Sequence, residues 1–231
     1  MPKLGEALKA LVSENLRAEE GTATQSVLMN RNRRRVFEFV AWHPCATASE
    51  VAQALAVSDP TAAWHLAKLA EAEYVQEARR GRRRVFHATA LGLTEPEVEG
   101  FAALGEPGAS RTLRHVLATP GLTAGELAAK AKRPSARRPL HALLAAGLVV
   151  TVQDGRYRRY YPGAVVSAIE RAAPRRLRDF RRRLLRKLQR DRLAPEVRLA
   201  PDDVAEIDVR FGEERATLRL PVGSLLVGRL G

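Results

Sequence analysis

Four rhythms of apolar and polar residues run along the 231-residue chain. Leu4, Leu8, Leu11 and Leu16 fall near one face of a short amphipathic helix over residues 3–17, and a polar break follows over 19–26. A stronger helical pattern starts near Arg31, with Val36, Phe37, Phe39, Val40 and Trp42 apolar. His43-Pro44 stops it, because proline disfavours a helical residue before it. Val166, Ile169, Ala173, Leu177, Phe180, Leu184 and Leu188 then recur every three or four residues as one continuous apolar stripe. Pro174, suited to a first helical position, is read as starting a helix that runs to about Arg192. Beyond Pro195 the period becomes two: Ile207, Val209 and Phe211 alternate with Glu206, Asp208 and Arg210, and Leu218 and Leu220 follow a Gly212-Glu213-Glu214 turn. This predicts a hairpin with one buried face, which needs a partner surface because an isolated hairpin is only marginally stable. The basic helix or a second copy of the chain would serve.

Between these segments the chain repeats itself. Thr47-Ala48-Ser49-Glu50-Val51 returns as Thr123-Ala124-Gly125-Glu126-Leu127, and Pro60-Thr61 as Pro134-Ser135. Leu66 and Leu69 return as Leu140 and Leu143, Ala72-Glu73-Tyr74-Val75 as Ala146-Gly147-Leu148-Val149, Gly81 as Gly155, and Val85-Phe86 as Arg159-Tyr160. The offset is 76 before the second helix of each copy ends and 74 afterwards, so the second copy has lost two residues in the turn. Self-similarity of this kind implies one supersecondary unit used twice. In each copy a helix ends at His43-Pro44 or Thr119-Pro120. A Thr cap with Glu three residues later opens the second helix, and a third opens near Ser58-Asp59-Pro60-Thr61 or Pro134-Ser135. Two short β-stretches around a glycine close each copy, and Asp154-Gly155 is a strong hairpin signal. Helix, helix, helix, hairpin is the winged-helix arrangement.

These residues carry a resemblance. Thr47 to Ala52 and the run Pro60-Thr61-Ala62-Ala63-Trp64-His65-Leu66-Ala67-Lys68-Leu69 resemble the helix-turn-helix of winged-helix regulators of the MarR/ArsR type. The chain is most similar to the two-headed regulators predicted in archaea, over roughly residues 31–163. The closing Ala145-Ala146-Gly147-Leu148-Val149 and Asp154-Gly155-Arg156-Tyr157-Arg158-Arg159-Tyr160-Tyr161 carry the likeness into the second wing. The resemblance implies two tandem winged helix-turn-helix units and duplex DNA as partner. Two positions depart from the pattern: Glu73 stands where copy two has Gly147, and Pro139 falls inside the second recognition helix, which should start late or kink.

The fold class expected is therefore mainly α with small β-wings (α+β). An N-terminal helix and linker occupy 1–28, a first winged-helix domain 29–92, a linker 93–108 and a second winged-helix domain 109–163. A basic amphipathic helix follows over 164–194 and a β-hairpin region over 195–231, the latter a candidate packing or dimerisation element.

Charge sharpens the partner. The formal net charge is +13, so the chain attracts polyanions. Only six of its 39 basic residues are lysine. Arginine suits bidentate phosphate and guanine contact, although a GC-rich genome explains the same bias. A lone cysteine excludes a disulfide framework and a multi-thiolate metal site. No run is long and apolar enough to span a bilayer and no signal pattern opens the chain, so a cytoplasmic, nucleoid-associated location is expected.

In a helix-turn-helix the second helix enters the major groove with its N-terminal residues at base edges. On the first recognition helix Ala62, Leu66 and Leu69 are expected in the core, while Ser58, Thr61, His65 and Lys68 are candidate DNA contacts. Trp64 is expected against the wing, and Asp59 at the positive end of the helix dipole. The first wing offers Arg79, Arg80, Arg82, Arg83 and Arg84 for phosphates or the minor groove. The second unit offers Arg133, Ser135, Arg137, Arg138 and His141, then Arg156, Arg158 and Arg159. The small Ala62, Ala63 and Ala136 leave few side chains for base readout, which points to strong backbone binding and modest specificity.

No His or carboxylate pair has the short spacing of a helical metal site, and no phosphate loop is present, so no enzyme, metal, cofactor or small-molecule effector is indicated. Three readings remain: a transcription regulator, an abundant DNA-organising protein of the nucleoid, and a tandem winged-helix subunit that docks on other proteins.

Overall fold

The computed structural model describes residues 27–199, 204–221 and 223–230; the helix expected over 3–17 lies outside them. Helix α1 (Arg31–Trp42) is opened by Asn30, whose side chain accepts from the backbone N–H groups of Asn32 and Arg33 at 3.0 Å. It buries Val36, Phe37, Val40 and Ala41 against α2 (Ala48–Leu55) and α3 (Asp59–Glu71). The expected capping box opens α2. Glu50 Oε2 accepts from Thr47 N at 2.7 Å, and the Thr47 hydroxyl accepts from Glu50 N at 3.2 Å. Strands β1 (Val75–Arg80) and β2 (Arg83–Ala88) pair antiparallel around Gly81-Arg82.

A short 3-10 turn (Thr89–Leu91) and α4 (Glu95–Leu104) lead to a second set of elements. These are α5 (Ala109–Ala118), β3 (Leu122–Thr123), α6 (Ala124–Lys130), α7 (Arg137–Ala145), β4 (Val149–Asp154) and β5 (Tyr157–Pro162). Its backbone echoes the first set at the spacings of the sequence repeat. Left-handed residues at Cys45, Ala56, Glu73 and Gly81 have counterparts at Gly121, Lys132, Gly147 and Gly155. The bridge Ala46↔Phe86 has its counterpart in Leu122↔Tyr160. At Glu73 the backbone takes φ 60°, close to the 65° of Gly147. The acidic residue thus keeps the glycine's turn and carries the Cβ strain itself.

Pro139 is accommodated by a late start. Helix α7 begins at Arg137 after the uncapped Ala136, which puts Pro139 in the first turn, where its missing N–H has no partner to lose. Pro174 departs from expectation. Helix α8 (Ala164–Arg190) starts ten residues earlier, after Gly163, and runs through Pro174. Burial of Val166 and Ile169 in the turns before it, at roughly 1.5–3 kcal/mol each, offsets the roughly 3 kcal/mol of an interior proline.

The stripe on α8 packs against the 3-10 turn, α4 and the terminal helix α9 (Leu225–Leu230). Gly100 of α4 lies against it, where a Cβ would stand in ordinary contact, 3.4–3.7 Å from Leu148, Val165 and Ile169. The other end of α8 is tied by Tyr74, whose hydroxyl donates to Asp191 at 2.5 Å, with Lys187 on the same carboxylate at 3.1 Å.

The C-terminal sheet has the order β6 (Glu196–Leu199), β7 (Val204–Phe211), β8 (Glu214–Pro221). Its apolar face does not wait for a second copy. Strand β8 lies on α1, where Trp42 Nε1 donates to Arg219 O at 3.2 Å and Arg219 N donates to Glu38 Oε1 at 2.9 Å. From α9, Arg229 is 8% exposed and fills the corner between α1 and α2. Its guanidinium donates to Pro44 O at 2.9 Å, Cys45 O at 2.6 Å and Glu50 Oε1 at 2.6 Å. Burial alone would raise the Glu50 carboxyl, but Arg229 and the hydrogen bonds from Thr47 outweigh it and hold the pKa below the usual 4.5.

Arg229→Ala is expected to cost roughly 3 kcal/mol, since it strands two carbonyls and a half-buried carboxylate. Because the folded pKa of Glu50 is depressed, its contribution is full above pH 4.5 and disappears as pH falls through the folded value. Urea titrations should show the gap between the two proteins narrowing as pH falls below 4.5, while the part due to the two stranded carbonyls persists. Glu73→Gly is expected to raise stability by roughly 0.5 kcal/mol, the relieved left-handed strain less the entropy a glycine loses on folding; thermal melts check it.

Candidate nucleic-acid interface

The exposed end of α3 is built by its own cap. Ser58 Oγ accepts from Thr61 N at 3.2 Å, and the two hydroxyls stand 2.7 Å apart. Asp59 beside them accepts from Ser49 Oγ at 2.6 Å. The outward face then carries Ala63, Ala67 and Glu71, while Lys68 is drawn to Glu71 at 3.0 Å. His65 corrects the sequence reading: it is 2% exposed and packs edge-on to Trp64 at 4.9 Å, so it is a core residue and not a surface contact. Ala62, Leu66 and Leu69, one turn and less away, share that buried side and draw the ring in with them. The Trp64 ring neighbours Arg33 of α1, whose guanidinium lies 5.8 Å from its centroid; this, and not the wing, is the partner the geometry gives it.

The first wing spends much of its charge internally. Arg80 is turned to α4, with ion pairs to Glu95 at 2.5 Å and Glu99 at 2.7 Å, and only 17% of its side chain is exposed. That removes it from the candidate contacts. Arg83 donates to Glu106 at 2.8 Å and to Gly105 O at 3.2 Å. Arg84 grips Glu77 with two nitrogens at 2.7 and 2.5 Å, and this hydrogen bonding lowers the Glu77 carboxyl below its ordinary range. Arg79 and Arg82 stay exposed without an acidic partner among the described residues.

The second unit is different in kind. From Thr123 to Pro162 it holds eight basic residues against Glu126 and Asp154, whereas from Thr47 to Ala88 the first holds six against five acids. Lys130, Lys132, Arg133, Arg137, His141 and Arg158 are exposed and have no acidic partner among the described residues. Ser135 Oγ accepts from Arg137 N at 3.1 Å and so steadies the approach to α7. Arg156 donates to the Tyr157 hydroxyl at 2.7 Å, with its guanidinium 5.0 Å from the ring. Arg138 is shared with Glu106 at 3.1 Å, and Arg159 is held by Asp154 at 2.5 Å and Gly121 O at 3.0 Å.

The buried polar groups do no visible surface chemistry. Burial raises the Cys45 thiol to about 12, and burial followed by the nearby Arg229 lowers the His43 imidazole below 6.5. Among the described residues no three His, Cys, Asp or Glu side chains gather closely enough to hold a metal ion. Also among them, no helix is long and apolar enough to cross a membrane.

Residues 28–73 match the model of a helix-turn-helix domain family. That span contains α1, α2 and α3, so the chain carries a helix-turn-helix domain. Comparison with curated proteins finds no match.

Arg229, Glu106 and the lysines Lys130 and Lys132 escaped the sequence reading. Arg229 and Glu106 lie far along the chain from their partners, whereas the lysines fall within the repeat and were legible as a basic run.

Arg80→Gln is expected to lower stability by about 1 kcal/mol or less, its acidic partners being exposed, and to leave duplex affinity unchanged. Parallel melting and anisotropy titrations check the split.

Proposed function

We propose that the protein binds duplex DNA through two winged helix-turn-helix units, the second supplying more of the phosphate grip, and acts as a transcriptional regulator rather than an enzyme. One observation carries this reading: the free basic side chains of α7 and the second hairpin, set against the internally neutralised charge of the first unit. The coincident left-handed positions and capping boxes support a duplicated unit. In such units the third helix lies in the major groove and the hairpin rides the backbone. Arg133, Arg137, Arg156 and Arg158 would then hold phosphates, joined by Arg79 and Arg82 from the first wing and by Arg138 once it leaves Glu106. Ser58 and Thr61 would contribute through their hydroxyls, and Ser135 and His141 from the second unit. Arg83, Arg84, Arg159 and Lys68 would reach DNA by exchanging an acidic partner for a phosphate. The protein would reside on the nucleoid.

A second reading is favoured by the bare Ala63 and Ala67 on the exposed side of α3, which offer no hydrogen bonds to base edges. On that reading the protein is an abundant, weakly selective organiser of DNA. Crosslinking the native protein in its own cells and sequencing the bound DNA separates the two: sharp promoter peaks sharing a motif support regulation, and broad coverage following base composition supports organisation.

Replacing Arg137, Arg138 and Arg158 together with alanine is expected to weaken binding to all duplexes about equally. The plot of log affinity against log salt should become shallower by roughly 2.5, at about 0.9 per phosphate contact. Arg79→Ala with Arg82→Ala should take away less. Wild-type affinity and slope in the triple variant would refute the proposed grip.

A further inference from the structure

Helix α8 carries ten basic residues, and eight of them divide by what they touch. Arg176 is inward: it pairs with Glu97 at 2.7 Å and donates to the carbonyls of Leu91 and Gly92. Lys187 is held by Asp191, and Arg183 reaches the carbonyl of Ala90 at 3.4 Å. These fasten the helix to the first unit. Arg171, Arg175, Arg178, Arg182 and Arg186 do not; all five are exposed. They fall at steps of four, three, four and four residues, which sets them in one row along the side opposite the buried stripe.

We propose that this row is a track for the phosphate backbone of duplex DNA, additional to the two helix-turn-helix units. The inference rests on the reading of the protein as DNA-binding. From Arg171 to Arg186 the row is about 22 Å long at 1.5 Å per residue, which matches on the order of six base pairs along a strand. Like charges three and four residues apart repel one another, so the free helix holds this row at a cost that a bound polyanion removes. Among the described residues Asp179 is the acid that pairs with the row, and its contacts with Arg175 at 3.9 Å and Arg182 at 3.7 Å are long and exposed. Glu170 is occupied by the Ser224 hydroxyl at 2.7 Å. A membrane surface fits less well. The apolar stripe is buried within the protein, and the exposed side between the arginines offers Ala168 and Pro174, with no large apolar side chain to enter a bilayer.

The test uses the full chain with Arg171, Arg175, Arg178, Arg182 and Arg186 all changed to Gln, which keeps helix propensity and removes the charge. Anisotropy of a labelled duplex is followed across a salt series. The expected result is a slope of log affinity against log salt shallower by about 4.5, with a melting temperature of the free protein at or above wild type in low salt. A variant carrying only Arg175→Gln and Arg182→Gln, two of the most exposed side chains, should lose about two and guards against a folding defect in the larger one. A wild-type slope in both variants overturns the track while leaving the helix-turn-helix reading standing. Binding to phosphatidylserine vesicles that falls in the variants, with the duplex slope unchanged, overturns it in favour of a membrane surface. A wild-type protein that fails to bind duplex at all overturns both readings together.

Discussion

Val166, Ile169, Ala173, Leu177, Phe180, Leu184 and Leu188 have to leave water together, and α8, about 40 Å long, is longer than one three-helix unit can cover. Its stripe is buried in stages. The first turns meet Gly100 and Leu148, and at the far end the C-cap Asp191 accepts from the Tyr74 hydroxyl. Removing those side chains from water stabilises the arrangement by on the order of 10 kcal/mol, an upper figure because the unfolded chain already hides part of them. Both three-helix sets are therefore referred to one rod, and the arginines on its far side are fixed in place by the same burial.

Two glutamates show how local and distant structure share a side chain. Glu50 and Glu97 each close a capping box with one carboxylate oxygen, taking the N–H and hydroxyl of Thr47 or Thr94. The second oxygen of each accepts an arginine from the C-terminal part of the chain, Arg229 or Arg176. A helix start needs only one oxygen. The spare one converts a local stop signal into an anchor for a segment far along the sequence, and Arg229 then fixes where α9 sits against the helix-turn-helix domain.

Much of this was legible in the residues. The repeat, the capping boxes, the hairpin glycines and the stripe on α8 are local patterns, and they lie where their periods put them. What escaped reading was decided by competition. Pro174 looked like a helix start because its own preference is for a first turn, yet Val166 and Ile169 had more to bury. His65 looked like a surface residue because histidine is polar, yet it shares a side of α3 with Leu66 and Leu69. Arg80 looked like its four neighbours in the wing, and only the position of Glu95 and Glu99 on α4 separates it from them. The candidate interface was thus legible as a region rather than as individual contacts. Helical and strand periods say which side a residue takes, while the acid that meets it there comes from another element.

Cys45 sits at φ 61° in the corner that Arg229 closes, fully buried, with its thiol raised to about 12. Burial disfavours the thiolate, which is the form that reacts. The chain has no other cysteine. The native thiol is therefore shielded from reagents in the folded protein, and a cysteine introduced on the hairpins or on α8 is expected to take a fluorophore or spin label in preference to it. A molecule that offers this without any prior removal of its own thiol lends itself to distance measurements between its two ends on and off a duplex.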